Sequence, residues 1–307
     1  MTPSFERFSA AKLIISALLC LIFLLWVLFF VGWRNDHLVI ILLCMICYFG
    51  TAASRRFITA FSVFVFYWIV YDSMRVIPNY KVNAVEIIEP YQIEKSLFGI
   101  ASGNNFITPN EYFAMYHHPV LDIIAGLFYI NWVPVPLAFG VYLFLKDKIY
   151  FLRFAWAFVL TNLIGFVVYY LYPAAPPWYY ELHGNVFIPD TPSNPAGLLR
   201  FDEITGTNIF KSIYSKSANV FAAIPSLHSA YPVIVLYYGL KKFGILINCI
   251  FVLFLFGIWF TAVYSGHHYI IDLLAGALCA VFSLTLFEIS FRNQRIHRFF
   301  DRLSKRI

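Results

Sequence analysis

Charge is scarce in this sequence. Only 12% of its 307 residues are Asp, Glu, Lys or Arg, whereas 61% are hydrophobic and 20% aromatic. With a mean hydropathy of +0.73, the chain lacks the polar residues that a water-soluble globule uses to cover its surface. Cysteine is also little used. Cys20, Cys44, Cys47, Cys249 and Cys279 all fall in apolar runs, where neither a disulfide framework nor a thiolate metal site is expected, and the CxxC of Cys44 and Cys47 is a match of spacing alone. The first apolar run, KLIISALLCLIFLLWVLFFVGW, has no small-residue cleavage site behind it and is too long for a signal-peptide core, so it reads as a retained span. No internal repeat or low-complexity segment is visible. No Gly-x-Ser-Gly accompanies a histidine, and Ser226 stands only two residues from His228, which argues against a rhomboid-like serine protease.

What the sequence has in quantity is apolar runs of membrane-spanning length. They cover about 12–33, 37–53, 57–74, 120–145, 151–172, 226–240, 244–265 and 268–290, each near the roughly 20 residues that cross a bilayer. The expected fold is therefore all-α, a polytopic membrane helix bundle of about eight spans. The fourth run holds Pro134 and Pro136, which a membrane helix accommodates with a kink. Arg7 and Lys12 precede the first run, Arg55 and Arg56 follow the second, Lys146 and Lys148 the fourth, Lys241 and Lys242 the sixth, and a basic tail from Arg292 to Arg306 the eighth. Basic residues at span ends mark the cytoplasmic side, so both termini are expected there. The tail reads as an orientation signal touching anionic lipid headgroups rather than as a nucleic-acid site. The long connections 75–119 and 173–225 then share the other side. Within the first, EPYQIEKSLFGI reads equally as an amphipathic surface helix or as a coiled linker.

Sorting the ionisable residues by side brings them together. Asp72 and Arg75 end the third span, Asp122 opens the fourth, Ser226 and His228 open the sixth, and His267, His268 and Asp272 open the eighth, all on the outer side. Ionisable groups at membrane depth are costly, so such a cluster is a candidate functional site; a transporter would place them nearer the midplane. His268 and Asp272 are four apart and share a helix face, so the carboxylate is placed to orient the imidazole. The plainer readings are a histidine and an aspartate satisfying each other at a helix start, and a capping role for His228. The openings of two helices would together favour an anion such as phosphate. Zinc held by His228, His267, His268 and Asp272 is the competing reading, weakened because adjacent His267 and His268 point apart.

PSLHS followed about forty residues later by GHHYIID resembles the type 2 phosphatidic acid phosphatase superfamily. YPAAPPWYYELHG, AIPSLHSAYP and YSGHHYIIDLLAGA are more closely similar to its inositol phosphorylceramide synthase branch, the aureobasidin A target. The resemblance covers roughly 57–290 and implies a six-helix catalytic core over 57–290, preceded by two additional spans in 1–56 and followed by a basic tail, 291–307. It implies that His268 attacks phosphorus to give a phosphohistidine, that Asp272 orients it, that His228 shuttles the proton of the departing and incoming alcohols, and that Ser226 holds a phosphoryl oxygen.

The sequence also departs from the phosphatase pattern. With Tyr172 and Pro173 at the positions of its Arg-Pro pair, the lysine that precedes that pair falls on Gly165 and the Ser-Arg pair before the second histidine on Thr261 and Ala262, so those cations are absent here. A phosphate monoester demands such cations more than a diester does. The expected substrate phosphate is therefore a phospholipid diester and the reaction a headgroup transfer; the resemblance implies transfer of inositol phosphate from phosphatidylinositol to ceramide, at a periplasmic or luminal face, with no metal or other cofactor. Arg75 is the candidate counter-charge, with Lys211 and Lys216 as loop alternatives, and an ion pair to Asp72 is its plainer reading. Trp178 is a candidate wall of the lipid pocket, while Tyr179 and Tyr180 fit an interfacial aromatic belt. His267 joins the candidate substrate-binding set. A hydrolase of the same superfamily and a non-catalytic lipid carrier or flippase are the alternatives.

Overall fold

A computed structural model describes residues 8–215 and 219–307; the calls on Arg7 and Lys216 lie outside the described residues. The long apolar runs all become helices. They are α1 (Ala10–Trp26), which closes in a wide turn at Val27–Val31, α2 (Asn35–Phe49) and α3 (Ala52–Ser73). The first long connection carries α4 (Ile88–Phe98), a hairpin of β1 (Ile100–Ser102) with β2 (Asn105–Ile107), and α5 (Pro109–Met115). Then follow α6 (Pro119–Tyr129), α7 (Pro134–Lys146) and α8 (Lys148–Leu171). The second long connection carries α9 (Pro177–His183), α10 (Leu199–Thr205) and α11 (Ile209–Tyr214), before α12 (Leu227–Leu240), α13 (Ile245–Tyr264), α14 (Ile270–Phe291) and α15 (Gln294–Ser304).

Local chemistry sets several of the boundaries. Thr51 and Ser54, and Thr108 and Glu111, form reciprocal capping boxes, and Pro109 and Pro119 sit in first turns where no N–H is needed. Asp147 opens α8 by accepting from Tyr150 N–H. The fourth predicted run is not one kinked helix. It breaks at residues 130–133 into α6 and α7, because Pro134 brings no N–H to the ladder, and the break turns Trp132 inward.

Six helical segments are long and apolar enough to cross a membrane: 10–31, 52–73, 119–146, 148–171, 245–264 and 270–291. The other two predicted spans are shorter than expected. α2 has 15 residues and α12 has 14, about 21–23 Å at 1.5 Å per residue. α12 begins at Leu227, one residue into the predicted run 226–240, and its first turn is buried at Leu227, Ser229 and Ala230.

α12 packs on α14, α13, α8 and α7, and α8 is enclosed by α3, α7, α12, α14 and α15. The core is correspondingly aromatic, with Phe61, Phe139, Phe151, Phe154, Phe158, Tyr231 and Tyr238 all buried. Close helix approach depends on glycine at two positions. A Cβ at Gly276 would stand 2.0 Å from the Ser226 carbonyl, and one at Gly165 would stand 2.7 Å from Leu227. α1 and α2 lie outside this core, with α2 against α3. The residues of α1 turn Leu18, Leu19, Ile22 and Leu25 outward, as lipid contact requires. EPYQIEKSLFGI resolves as helix α4, which buries Pro90 and Glu94. At the end away from the loops, Lys242 pairs with Asp147 at 2.6 Å, Arg153 pairs with Glu288, and α15 packs Phe300 on Phe287 and Phe291.

Candidate active site

The first turn of α12 and the turn before α14 meet beneath the long connections, and two imidazoles meet there. His228 Nδ1 lies 3.3 Å from His268 Nε2, and His268 Nδ1 lies 3.2 Å from Asp272 Oδ2. A carboxylate only accepts, so His268 Nδ1–H donates to Asp272, which leaves His268 Nε2 as the lone-pair atom and makes His228 Nδ1–H its donor. The relay thus runs from a buried carboxylate to a nitrogen with nucleophilic geometry, capped at rest by the second histidine.

The surrounding structure fixes each member. Asn110 donates to the His268 carbonyl at 2.9 Å and to that of Val263 at 2.8 Å. The N–H groups of His267 and His268 both donate to Ala262 O at 3.0 Å. Gly266, at φ +73°, makes the turn between them in a conformation that suits glycine. Ser226 N–H donates to Asp272 O at 2.9 Å, and Ser229 Oγ donates to Leu273 O at 3.0 Å, which locks α12 to α14. The ring of His228 stands edge-on to Trp132 at 4.5 Å. Ser226 Oγ is buried and has no partner among the described residues, the condition of a donor reserved for a ligand.

The expectation that both helix openings are free for an anion is not met. Ile270 and Ile271 N–H donate to the two oxygens of Glu94 at 3.0 and 3.2 Å, and Tyr269 N–H donates to Asp272 at 2.9 Å. Two carboxylates already satisfy the start of α14, so an entering phosphoryl group is left with the Ser226 side. Burial lifts the Glu94 carboxyl to about 7 against the pull of those N–H donors, and Asp272 adds to the rise.

His228 opens onto a cavity of about 380 Å³ walled by Tyr67, Tyr71, Trp132, Tyr169, Tyr214 and Leu227, with Arg34, Asp36, Asp72 and Arg75 at its far side. Its size falls in the ordinary range for small-ligand sites. A wider depression of about 580 Å³ under the loops shares Arg75, Tyr214 and Asn219 with it and forms its vestibule.

Of the residues singled out by sequence, His228, His268, Asp272 and Ser226 converge. Arg75 lines the cavity, and its Nε also donates to Asp72 at 3.0 Å. Three placements differ from expectation. His267 turns into the loops, where it donates to Pro195 O at 2.8 Å and is stacked between Tyr214 and Tyr129, so the four-ligand zinc set does not converge. Trp178 is not a wall of the histidine cavity; it is buried with Ile87, Tyr179 and Phe221, and its N–H donates to Gly266 O. Lys211 lines the loop depressions rather than the histidine cavity. Asp122 serves the loops, accepting from Arg200 at 2.6 Å and Tyr264 at 2.9 Å.

The positions without the phosphatase cations are closed. Gly165 abuts Leu227, Thr261 Oγ1 donates to Gly257 O, Ala262 is fully buried, and Tyr172 donates to Glu89. Sequence reasoning missed Trp132, Glu94, Arg34 and His37. Arg34 carried a usable signal, since it follows the first apolar run rather than one of the even-numbered runs that most basic residues follow.

The sequence pattern of the PAP2 superfamily matches residues 103–286, a stretch that contains both histidine motifs. The chain is 46% identical over 284 residues to a phosphoinositol dihydroceramide synthase of Bacteroides thetaiotaomicron, covering 92% of this chain and 93% of that protein. It is 32% identical over 263 residues to an inositol phosphorylceramide synthase of Candida albicans, covering 82% of this chain and 51% of that protein. An inositol phosphorylceramide synthase catalytic subunit of Saccharomyces cerevisiae is 34% identical over 128 residues, 41% of this chain and 31% of that one. The chain thus spans nearly all of the bacterial relative but only about half of the Candida protein and about a third of the Saccharomyces one. No solved structure matches. With the paired histidines, the Asp272 that orients one of them and the match across them, this integral membrane protein belongs to the PAP2 superfamily.

Proposed function

We propose that the protein is a lipid phosphotransferase that moves inositol phosphate from phosphatidylinositol to the primary hydroxyl of a ceramide-type lipid and releases diacylglycerol. The observation that carries this reading is the chain from Asp272 through His268 to His228, the last of which lines the cavity. In the first step His268 Nε2 attacks phosphorus as the entering phosphoryl group displaces the His228 contact. The phosphorus bond to the diacylglycerol oxygen breaks, and His228, in its imidazolium form, gives that oxygen a proton. In the second step neutral His228 takes the proton of the ceramide hydroxyl, whose oxygen bonds to phosphorus while the bond to His268 breaks. Asp272 stabilises the charge that His268 carries between the steps, and Ser226 Oγ–H donates to a phosphoryl oxygen.

A diester donor fits a site that has no cation at the Gly165, Thr261 and Ala262 positions, and the names of the relatives agree with an inositol phospholipid as donor. The site lies at the loop end of the bundle, opposite Lys146, Lys148, Lys241, Lys242 and α15. By the distribution of basic residues that face is periplasmic or luminal and both termini are cytoplasmic.

The test is purified protein in vesicles holding phosphatidylinositol and a fluorescent ceramide. The expected products are inositol phosphorylceramide and diacylglycerol in equal amounts. Release of free inositol phosphate with no ceramide product would replace the transferase reading with a hydrolase.

A further inference from the structure

We propose that Arg34, Asp36, Asp72 and Arg75 form the subsite for the polyhydroxylated ring of the donor headgroup, a proposal that rests on the inositol-phospholipid reading above. The cluster joins the N-terminal hairpin to the catalytic core. Arg34 donates through Nε and Nη2 to the two oxygens of Asp36 at 3.1 Å each, and through Nη2 to Asp72 at 2.7 Å. Arg75 Nε donates to the same Asp72 oxygen at 3.0 Å, and His37 Nε2–H donates to the other at 3.0 Å. All four charged side chains line the cavity that His228 lines.

Their formal charges cancel, two guanidiniums against two carboxylates, so this wall offers no net field for a second phosphate. It offers a dense alternation of donors and acceptors instead. A ring of vicinal hydroxyls matches such a surface, because each hydroxyl donates to a carboxylate and accepts from a guanidinium. A choline headgroup brings no donors, and an ethanolamine ammonium suits the carboxylates alone. Exposure distinguishes the roles within the cluster. The Asp72 side chain is 6% exposed and acts as the anchor, whereas those of Arg34, Arg75 and Asp36 are 24%, 24% and 36% exposed and face the ligand. The two spans before the core are, on this reading, a specificity element, since they carry Arg34 and Asp36 to a site whose chemistry lies on α12 and α14.

The experiment compares two donors, phosphatidylinositol and phosphatidylmethanol, which lacks the ring, in transfer to ceramide by the wild type, Asp36→Asn and Arg34→Lys. Asp36 is the most exposed of the four, and its amide variant keeps shape while losing an acceptor. The expected result is a fall of roughly tenfold or more in the ratio of kcat/KM for phosphatidylinositol to that for phosphatidylmethanol, since a site built for hydroxyls discriminates through them. A ratio within about twofold of the wild type in both variants, with phosphatidylinositol still used, overturns the subsite and leaves the donor reading intact. Wild-type protein that makes no inositol product overturns the donor reading, and the subsite falls with it. Inhibition of the wild type by inositol phosphate but not by phosphocholine supports the subsite without recourse to a variant; equal inhibition by the two counts against it.

Discussion

Replacing Asp272 by asparagine separates the charge of the relay from its geometry. Asp272 Oδ2 accepts from both His268 Nδ1 and Tyr269 N–H, while Oδ1 has no partner among the described residues. An asparagine oxygen placed at the Oδ2 position keeps both contacts, so the helix start and the imidazole orientation survive and only the negative charge goes. At 3.2 Å from the imidazole, in a buried site of effective dielectric about 20, that charge attracts a full imidazolium by about 5 kcal/mol. With the partial charge of a transition state the loss is about 3–4 kcal/mol, which lowers kcat roughly 10²- to 10³-fold at about 1.36 kcal/mol per decade. The assay is initial-rate transfer of inositol phosphate to ceramide in mixed micelles, with thermal unfolding in the same detergent as the fold control. The expected outcome is that kcat falls by that factor and KM for donor changes little, while the melting temperature falls only modestly, because the asparagine amide nitrogen takes the buried Oδ1 position where no partner awaits it. A variant that keeps more than about a third of wild-type kcat would refute electrostatic support of His268 by Asp272.

Glu94 gives a pH-dependent prediction. Its carboxyl sits at about 7 in the fold against an ordinary value of 4.5, so the folded protein holds an extra proton between those values. The stability from that proton is fully present below the lower value and is lost as pH rises through the upper one. Unfolding measured from about pH 5 to about pH 8 is expected to show the wild type losing stability relative to Glu94→Gln, and parallel curves would contradict this. At Gly276, alanine would drive a methyl against the Ser226 carbonyl, 2.0 Å from its ideal position. The expected cost is about 1–3 kcal/mol of stability together with most of the turnover, read by melting temperature and initial rate. Unchanged activity would mean that α12 and α14 are not locked as described.

The contact between His268 and Asp272 was legible in the sequence because its parts are local. His268 and Asp272 share a helix face by spacing, and the basic span ends put His228 on the same side. The bundle was legible for the same reason, since apolar length and charge placement are one-dimensional signals. Less legible was anything decided by what fills a space. That Glu94 caps α14 follows from α4 folding under the start of a helix 176 residues away, a pairing no spacing encodes. His267 and Trp178 looked like ligand contacts because aromatic and imidazole side chains near a site fit either role, and loop packing claimed both. The break before Pro134 had a visible cause, yet its consequence, Trp132 against His228, needed the tertiary structure. Arg34 stood outside the pattern of basic residues after even-numbered runs, and that it meets Arg75 at a shared Asp72 needed the tertiary structure.

Transfer through His268 is tested most directly by the stereochemical course at phosphorus. A phosphatidylinositol analogue with one non-bridging oxygen replaced by sulfur, supplied as a single diastereomer, is converted to the ceramide product and its configuration is assigned by phosphorus NMR. Two in-line displacements, onto His268 and off again, predict overall retention. Inversion would mean that the ceramide oxygen attacks the donor directly, with His268 and His228 acting only as acid and base, and would contradict the covalent route.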